Sequence, residues 1–262
     1  MALQSSDIRP IELAKEALLL AKDSWKQVGI SAGVFALLAG LIAVLTGNSV
    51  QVVALVGSST ASFAMFLAAL TAGLVTSARA LGIDIPPLAS AMMNERQYWR
   101  YVGGGIACMF VSSMLGFIAF MIVMTIGGQV PSAGVASTQE LAAPVMFASF
   151  GLAAVATGLM SIRLFMVLPA VVAGEKISLT ESWKRTKGIT IKLAIAIAIS
   201  LGGFFALQLL VRYFGAHLFG AEGLPMVEMT NAVLRIARGA VEGAVAGLVM
   251  AKILDQEAIK LG

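Results

Sequence analysis

Charged side chains are scarce in this chain, since Asp, Glu, Lys and Arg make up only 12% of its 262 residues. An ordinary soluble domain carries about 25% charged residues and about 45–50% apolar ones. Here 59% of the residues are apolar and the mean hydropathy is +0.92. The shortage of charge excludes a soluble globular surface, and the apolar excess excludes a disordered chain. The composition therefore predicts an integral membrane protein, and its net charge of +4 requires no nucleic acid.

Cysteine and histidine occur once each, as Cys108 and His217. A single cysteine forms no intramolecular disulfide, and neither residue has the companions that a zinc site or a Ser-His-Asp triad needs. The apolar neighbours of Cys108 favour plain packing, and we expect His217 in an exposed loop. We therefore predict that the protein is not an enzyme and has no catalytic residues, no cofactor and no metal.

Long uncharged stretches predict six transmembrane helices. The first stretch runs for 52 residues from Gln27 to Ala78 and is broken by a turn signal at 46–49. About 20 apolar residues cross the hydrocarbon core of a bilayer, so this stretch holds two spans. The six predicted spans are 27–47, 52–78, 101–126, 141–162, 193–211 and 229–251.

Basic residues are distributed unevenly between the two ends of these spans. Fourteen of the 18 lysines and arginines fall in the N-terminal segment, in the loops after the second and fourth spans, and at the C-terminus. Arg212 alone falls on the opposite side. Because Lys and Arg accumulate in cytoplasmic loops, we predict that both termini are cytoplasmic and that the number of spans is even.

Tryptophan and basic residues recur in the same order along the chain. Each of the three tryptophans is followed by a basic residue, a glycine and then an odd-numbered span, and each even-numbered span ends at a basic residue. We therefore predict one polytopic domain over 1–262, with repeats at roughly 8–80, 81–164 and 165–254. Tryptophan and basic side chains prefer the membrane interface. The expected interfacial anchors are Trp25, Trp99, Trp183, Arg79, Arg163 and Lys252.

A short amphipathic helix is predicted before each tryptophan. Apolar residues recur at intervals of three and four between Ile11 and Trp25, and the sequence at 178–181 has the form of a capping box. Such a helix lies in the plane of the membrane interface, or it packs on the bundle as an ordinary cytoplasmic helix. The predicted fold is an all-α membrane protein with six transmembrane helices as three repeated hairpins, each preceded by a cytoplasmic interfacial amphipathic helix.

A pattern between residues 163 and 188 resembles a known bacterial family. It consists of an arginine, an apolar stretch with Leu-Pro-Ala, and a Ser-Trp element that ends in glycine; its key residues are Arg163, Pro169, Ser182, Trp183 and Gly188. It is similar to the six-helix integral membrane domain found upstream of some bacterial glycerophosphodiester phosphodiesterases, and to stand-alone inner-membrane relatives of that domain. The resemblance implies the fold and a location in the bacterial inner membrane. It implies no activity, because we expect no counterpart of the phosphodiesterase in the ten residues that follow Lys252.

Three charged residues interrupt the last predicted span, and these are Arg235, Arg238 and Glu242. If Lys252 marks the cytoplasmic face, Glu242 lies about 15 Å deep, near the midplane. The three side chains share a sector of about 60° on a helical wheel. Ionisable residues at this depth are costly unless they are paired or face water, so they form the candidate polar site. Two arginines against one glutamate leave a surplus positive charge, which suits an anion such as a phosphate or a phospholipid headgroup.

Two interpretations of these charges are open. In the first they form a functional site, and in the second the Arg238–Glu242 pair fixes the packing of helices. The second interpretation is supported by Gly239, Gly243 and Gly247, because glycines at this spacing let helices approach closely.

The function follows from these alternatives. We predict a non-enzymatic inner-membrane protein that lies in the phospholipid bilayer and organises or binds lipids or partner membrane proteins. The alternative is a small transporter or permease for an anionic solute or lipid, which uses the charges of the last span.

Overall fold

A computed structural model describes residues 8–46, 51–83, 96–128, 151–153, 155, 157–164, 166–175, 178–219 and 224–261. These residues form helices joined by short turns, and no strand occurs among them. The helices are α1 (Pro10–Asp23), α2 (Trp25–Thr46), α3 (Gln51–Ala80), α4 (Arg96–Gly128), α5 (the described residues of 151–164), α6 (Val167–Val172), α7 (Leu179–Thr186), α8 (Thr190–Phe219) and α9 (Leu224–Leu261). His217 lies within α8 and is exposed, so the prediction that it lies in a loop is wrong.

Five of the helical stretches are long and apolar enough to cross a membrane. They are Trp25–Ile42, Ser59–Ala80, Tyr98–Ile122, Gly151–Val172 and Thr190–Val211. This confirms a helical chain with several spans, and each stretch overlaps one of the first five predicted spans. The sixth predicted span lies within α9, which is 38 residues long but carries charges in its apolar part. Residues 141–150 of the fourth predicted span lie outside the described residues.

Helices α3 and α9 pack closely against each other and run in the same direction. A Cβ atom placed on Gly239 would meet the backbone of Ala69, and one on Gly243 would meet the backbone of Gly73. One helical turn further along, a Cβ on Gly247 would lie 2.8 Å from the Cα atom of Ser77. Numbers therefore increase along both helices at the contact. Glycine is required here because any side chain would hold the two backbones apart.

Hydroxyl groups of α3 also bond directly to the backbone of α9. The Thr76 hydroxyl donates to the carbonyl oxygen of Ala240 at 2.7 Å, and the Ser77 hydroxyl donates to that of Gly243 at 2.8 Å. Both side chains are fully buried. These bonds form only because the glycine contact brings the two backbones within reach of short side chains.

We expect Thr76→Val to lower the free energy of unfolding by about 0.6 kcal/mol, the average for a hydrogen bond between transmembrane helices. The change keeps the shape of the side chain and removes its hydroxyl. Unfolding of the purified protein by SDS in mixed micelles measures the effect. Thr125→Val is the matched control, because the Thr125 hydroxyl is exposed and bonds to Met121 of its own helix. Equal losses for the two variants would contradict the interhelical role of Thr76.

Helix α1 packs on one end of the bundle. Its buried residues Leu13 and Ala17 share a hydrophobic cluster with Leu193 of α8 and Met250 of α9. Other apolar residues of α1 point outward, and Leu19 is 59% exposed. One face of α1 is therefore buried against the bundle, whereas its other apolar residues, such as Leu19, stay exposed.

The same end of the bundle holds the end of α3. The guanidinium of Arg79 donates to the carbonyl oxygen of Asp23 at 3.1 Å, which joins the last turn of α3 to the last residue of α1. Beyond Arg79 the chain turns at Gly82, whose φ of +68° favours glycine. The amide of Ile83 donates to the carbonyl oxygen of Ala78 at 2.9 Å, as in a Schellman cap.

Helices α2, α4 and α8 carry the outward apolar surface. Only 17% of the span in α8 and 22% of that in α2 is buried inside the protein, against 56% of the span in α3. Leu37 on α2, Phe117 on α4 and Leu209 on α8 are all more than 60% exposed. Such a continuous exposed apolar surface is stable in a bilayer and not in water.

The segment that follows Arg163 forms a separate short helix. Met166 lies in a turn, and Pro169 lies in the first turn of α6, where the missing amide hydrogen of proline costs no helical bond. Proline is therefore compatible with the start of this short helix. Pro169 is buried within the bundle, so α6 is covered by protein on this side.

Candidate functional site

Arg235, Arg238 and Glu242 of α9 line one cavity of about 430 Å³. The cavity lies beside the contact between α3 and α9, and three other helices contribute to its wall. Tyr101 of α4, Leu168 of α6 and Gln208 of α8 all contribute to its wall. The sequence prediction that Arg235, Arg238 and Glu242 share one side of a helix is therefore matched by their position around a common space.

Arg238 and Glu242 form an ion pair on the surface of this cavity. The Nε atom of Arg238 donates to Oε1 of Glu242 at 2.7 Å, and the residues are one helical turn apart. The guanidinium also lies over the ring of Phe205 on α8, 4.7 Å from its centroid. The two side chains are 41% and 31% exposed. Both therefore face open space and not a dry helix contact.

Arg235 has no such counterion. Its side chain is half-buried in the wall of the cavity and makes no hydrogen bond or ion pair with any residue that the structure describes. The sequence offers Glu222 and Glu228 as carboxylates that could neutralise it from the preceding loop, but Glu222 and the side chain of Glu228 lie outside the described residues. Among the described residues of the wall, two arginines thus face one carboxylate, and that carboxylate is bonded to Arg238.

The close packing of α3 and α9 depends on glycine and not on the ion pair. Gly239 and Gly243 lie against the backbone of α3, as the glycine spacing predicted. The Arg238–Glu242 pair joins two residues of the same helix, so it connects no two helices. Both features therefore occur on adjacent sides of α9: the glycines contact α3, and Arg238 of the pair contacts α8 through Phe205.

Four neutral polar residues near the charges were missed from the sequence. Ser62, Tyr101 and Gln208 line the cavity and offer hydroxyl and amide donors. Asn231 lies four residues before Arg235 on the same side of α9, is 1% exposed, and has no hydrogen-bond partner among the described residues for either polar atom of its side chain. Its helical spacing from Arg235 was a usable signal, whereas nothing in the sequence relates Tyr101 or Gln208 to α9.

The predicted interfacial anchors fall into two groups. Trp25 and Trp99 are 43% and 60% exposed near the starts of α2 and α4, and Lys252 is half-buried in α9. Trp183 differs because it lies in the short helix α7 and not in the following span. There it stacks against Arg163, whose guanidinium carbon is 4.3 Å from the ring centroid.

The residues of the family-like pattern are partly brought together. The Ser182 hydroxyl donates to the carbonyl oxygen of Arg163 at 2.8 Å, and Gly188 lies with Arg163 and Trp183 around a second cavity. Pro169 belongs to α6 and does not line that cavity. The predicted capping box is present in part, because the Ser178 hydroxyl accepts from the Glu181 amide at 3.2 Å.

Comparison with known proteins gives no match among family models, curated proteins or solved structures. Within the described residues, no group of three His, Cys, Asp or Glu side chains could hold a metal ion. Cys108 is half-buried and points its thiol at the carbonyl oxygen of Leu164, 3.7 Å away.

Proposed function

We propose that the protein is a non-enzymatic membrane protein that binds a phosphate-type anion in the cavity beside α9. The anion is the headgroup of a phospholipid or a free anionic solute, since both offer the same oxygen acceptors. The observation that carries the proposal is Arg235, which has no counterion among the described residues, beside the Arg238–Glu242 pair in a cavity of the bundle. A surplus of positive charge within a membrane-spanning segment is costly unless an anion or water neutralises it.

The neutral groups of the wall support this choice of ligand. Tyr101 and Gln208 add polar groups from α4 and α8 to the wall that the arginines line. Arginine binds phosphate through two parallel N–H bonds, and neutral donors complete the shell of such an anion. Glu242 orients Arg238 through its 2.7 Å bond and leaves the remaining guanidinium N–H groups for a ligand.

We further propose that α9 is the sixth span and that the six spans form three hairpins. In this arrangement both termini are cytoplasmic and the protein lies in the bacterial inner membrane. The parallel course of α3 and α9 supports this arrangement, because the second and sixth spans of a six-span protein run in the same direction. The contact between Arg79 and Asp23 supports it too, since it joins two segments that the charge distribution assigns to the cytoplasm. The family-like pattern from Arg163 to Gly188 agrees with the same topology.

Arg235→Gln tests the proposal. We expect it to weaken anion binding about tenfold or more, because a charge-assisted hydrogen bond contributes about 1.5–3 kcal/mol. Calorimetry with inorganic phosphate and native mass spectrometry with phosphatidylglycerol measure the two sources of the anion separately. Arg100→Gln is the control, because Arg100 is exposed on α4 and lines neither cavity. If neither probe binds more weakly to Arg235→Gln than to Arg100→Gln, the proposal is wrong.

Transport of the anion is the second candidate function. It is favoured by the exposure of the Arg238–Glu242 pair to a cavity that five helices line. Proteoliposomes loaded with phosphate test it, since a transporter shows a flux that Glu242→Gln or Arg238→Ala abolishes. Binding without flux supports the lipid-binding or solute-binding role over transport.

A further inference from the structure

A second cavity of about 680 Å³ lies where α5, α7 and α8 meet, and it shares no lining residue with the cavity beside α9. Three basic side chains line it, and they are Arg163, Lys187 and Lys192. Among the described residues of its wall there is no carboxylate. The wall of the cavity therefore concentrates positive charge beside the aromatic ring of Trp183.

The nearby carboxylates are engaged elsewhere. Glu175 and Glu181 both bond to Arg185, at 3.4 and 3.2 Å between the charged groups. The side chain of Arg185 is only 13% exposed, so this acidic pair neutralises a cation that faces away from the cavity. The positive charge of Arg163 and Lys187 is thus left without a counterion among the described residues.

Arg163 is held in a fixed orientation. The hydroxyls of Ser182 and Thr186 donate to its backbone carbonyl oxygen at 2.8 and 3.3 Å, which attaches α7 to the end of α5. Its guanidinium stacks on Trp183 at 4.3 Å. Stacking uses the face of the guanidinium and leaves its N–H edge, which has no hydrogen bond to a described residue, open to oxygen acceptors.

The cavity also has an apolar side. Leu159 lies one helical turn before Arg163 on α5 and is 44% exposed, and Ile191 in the first turn of α8 is 75% exposed. A free phosphate ion gains nothing from an apolar surface, whereas the upper part of a phospholipid acyl chain can pack against it. The combination of three clustered cations, a tryptophan ring and exposed aliphatic side chains is that of a lipid headgroup site.

We propose that this second cavity is a binding site for an anionic phospholipid, with Arg163, Lys187 and Lys192 on the phosphate and Leu159 and Ile191 along the acyl chain. Trp183 positions Arg163 and covers the glycerol region. The site is independent of the cavity beside α9, because the two share no lining residue.

Tryptophan fluorescence can report on this site alone. The chain has three tryptophans, and Trp25→Phe/Trp99→Phe leaves Trp183 as the single fluorophore; both replaced side chains are exposed, so the fold is kept. The protein is reconstituted in vesicles of phosphatidylcholine and phosphatidylglycerol, and one of the two lipids carries bromine on its upper acyl chain. The ratio of the quenching by the two brominated lipids gives their relative binding constant at the site next to Trp183.

We expect phosphatidylglycerol to be preferred at Trp183 by about tenfold, and Lys187→Gln and Arg163→Gln each to reduce the preference about fivefold. Lys184→Gln is the matched control, because Lys184 is exposed on α7 and does not line the cavity. Lys187 is exposed at the end of α7, so Lys187→Gln is expected to keep the fold. The test therefore still works if Arg163→Gln fails to fold.

Three outcomes would overturn the assignment. The first is that phosphatidylglycerol is not preferred at Trp183, and the second is that Lys184→Gln reduces the preference as much as Lys187→Gln, which indicates diffuse surface charge. The third is that soluble glycerol phosphate displaces the lipid as effectively as phosphatidylglycerol does, which shows that the aliphatic side chains do not contribute to binding. Arg235→Gln is expected to leave the preference unchanged, so failure of this proposal and failure of anion binding beside α9 are distinguishable.

Discussion

Gly243→Ala is expected to lower the free energy of unfolding by about 1–3 kcal/mol, the usual cost of excess volume in a packed interior. A single methyl group at this position would meet the Cα and carbonyl oxygen of Gly73. Backbone atoms cannot rotate away as a flexible side chain can, so the two helices must separate. Separation also lengthens the hydrogen bonds from Thr76 and Ser77. We therefore expect Gly243→Val to be worse than Gly243→Ala.

The matched control is Gly202→Ala in α8. A Cβ atom there has no neighbour within 4 Å, so the methyl group enters open space. Alanine is a better helix former than glycine by about 1 kcal/mol, and this variant should be neutral or slightly stabilised. SDS unfolding in mixed micelles measures both variants. Equal stability of Gly243→Ala and Gly202→Ala would show that α3 and α9 are not in close contact.

Glu242→Gln is expected to destabilise the protein by about 1–3 kcal/mol. The change removes the partner of Arg238 and leaves its guanidinium in the cavity without a carboxylate. A fully buried pair would lose more, but the two side chains are 41% and 31% exposed and line a cavity, so their burial is incomplete. The free energy of unfolding measures this loss.

The double variant Arg238→Gln/Glu242→Gln should regain most of that stability. It removes both charges and leaves two neutral side chains that can bond to each other, so the loss belongs to the uncompensated charge and not to the shape of the site. Arg235 and its positive charge remain in the cavity wall. Phosphate binding should therefore survive in part in the double variant and be weaker in Arg235→Gln. A double variant as unstable as the sum of its single changes would contradict this account.

Local patterns predicted the helices well, because the repeat of an α-helix is fixed by backbone geometry. The turn signal at 46–49 falls between the observed end of α2 at Thr46 and the start of α3 at Gln51. The shared face of Arg235, Arg238 and Glu242 follows from their spacing alone. The glycine spacing of α9 likewise predicted a close contact, although it did not name α3 as the partner.

What the sequence determined by itself is a membrane protein of apolar helices, with its charges concentrated at helix ends and on one side of α9. Only the tertiary structure decided that Tyr101 and Gln208 join those charges, and that Arg163 and Trp183 meet across α5 and α7. Periodicity relates residues of one helix, whereas these contacts depend on which helices pack together and at what rotation. That choice is made by the fit of side chains between helices, such as the glycines of α9 against α3, and no single segment contains it.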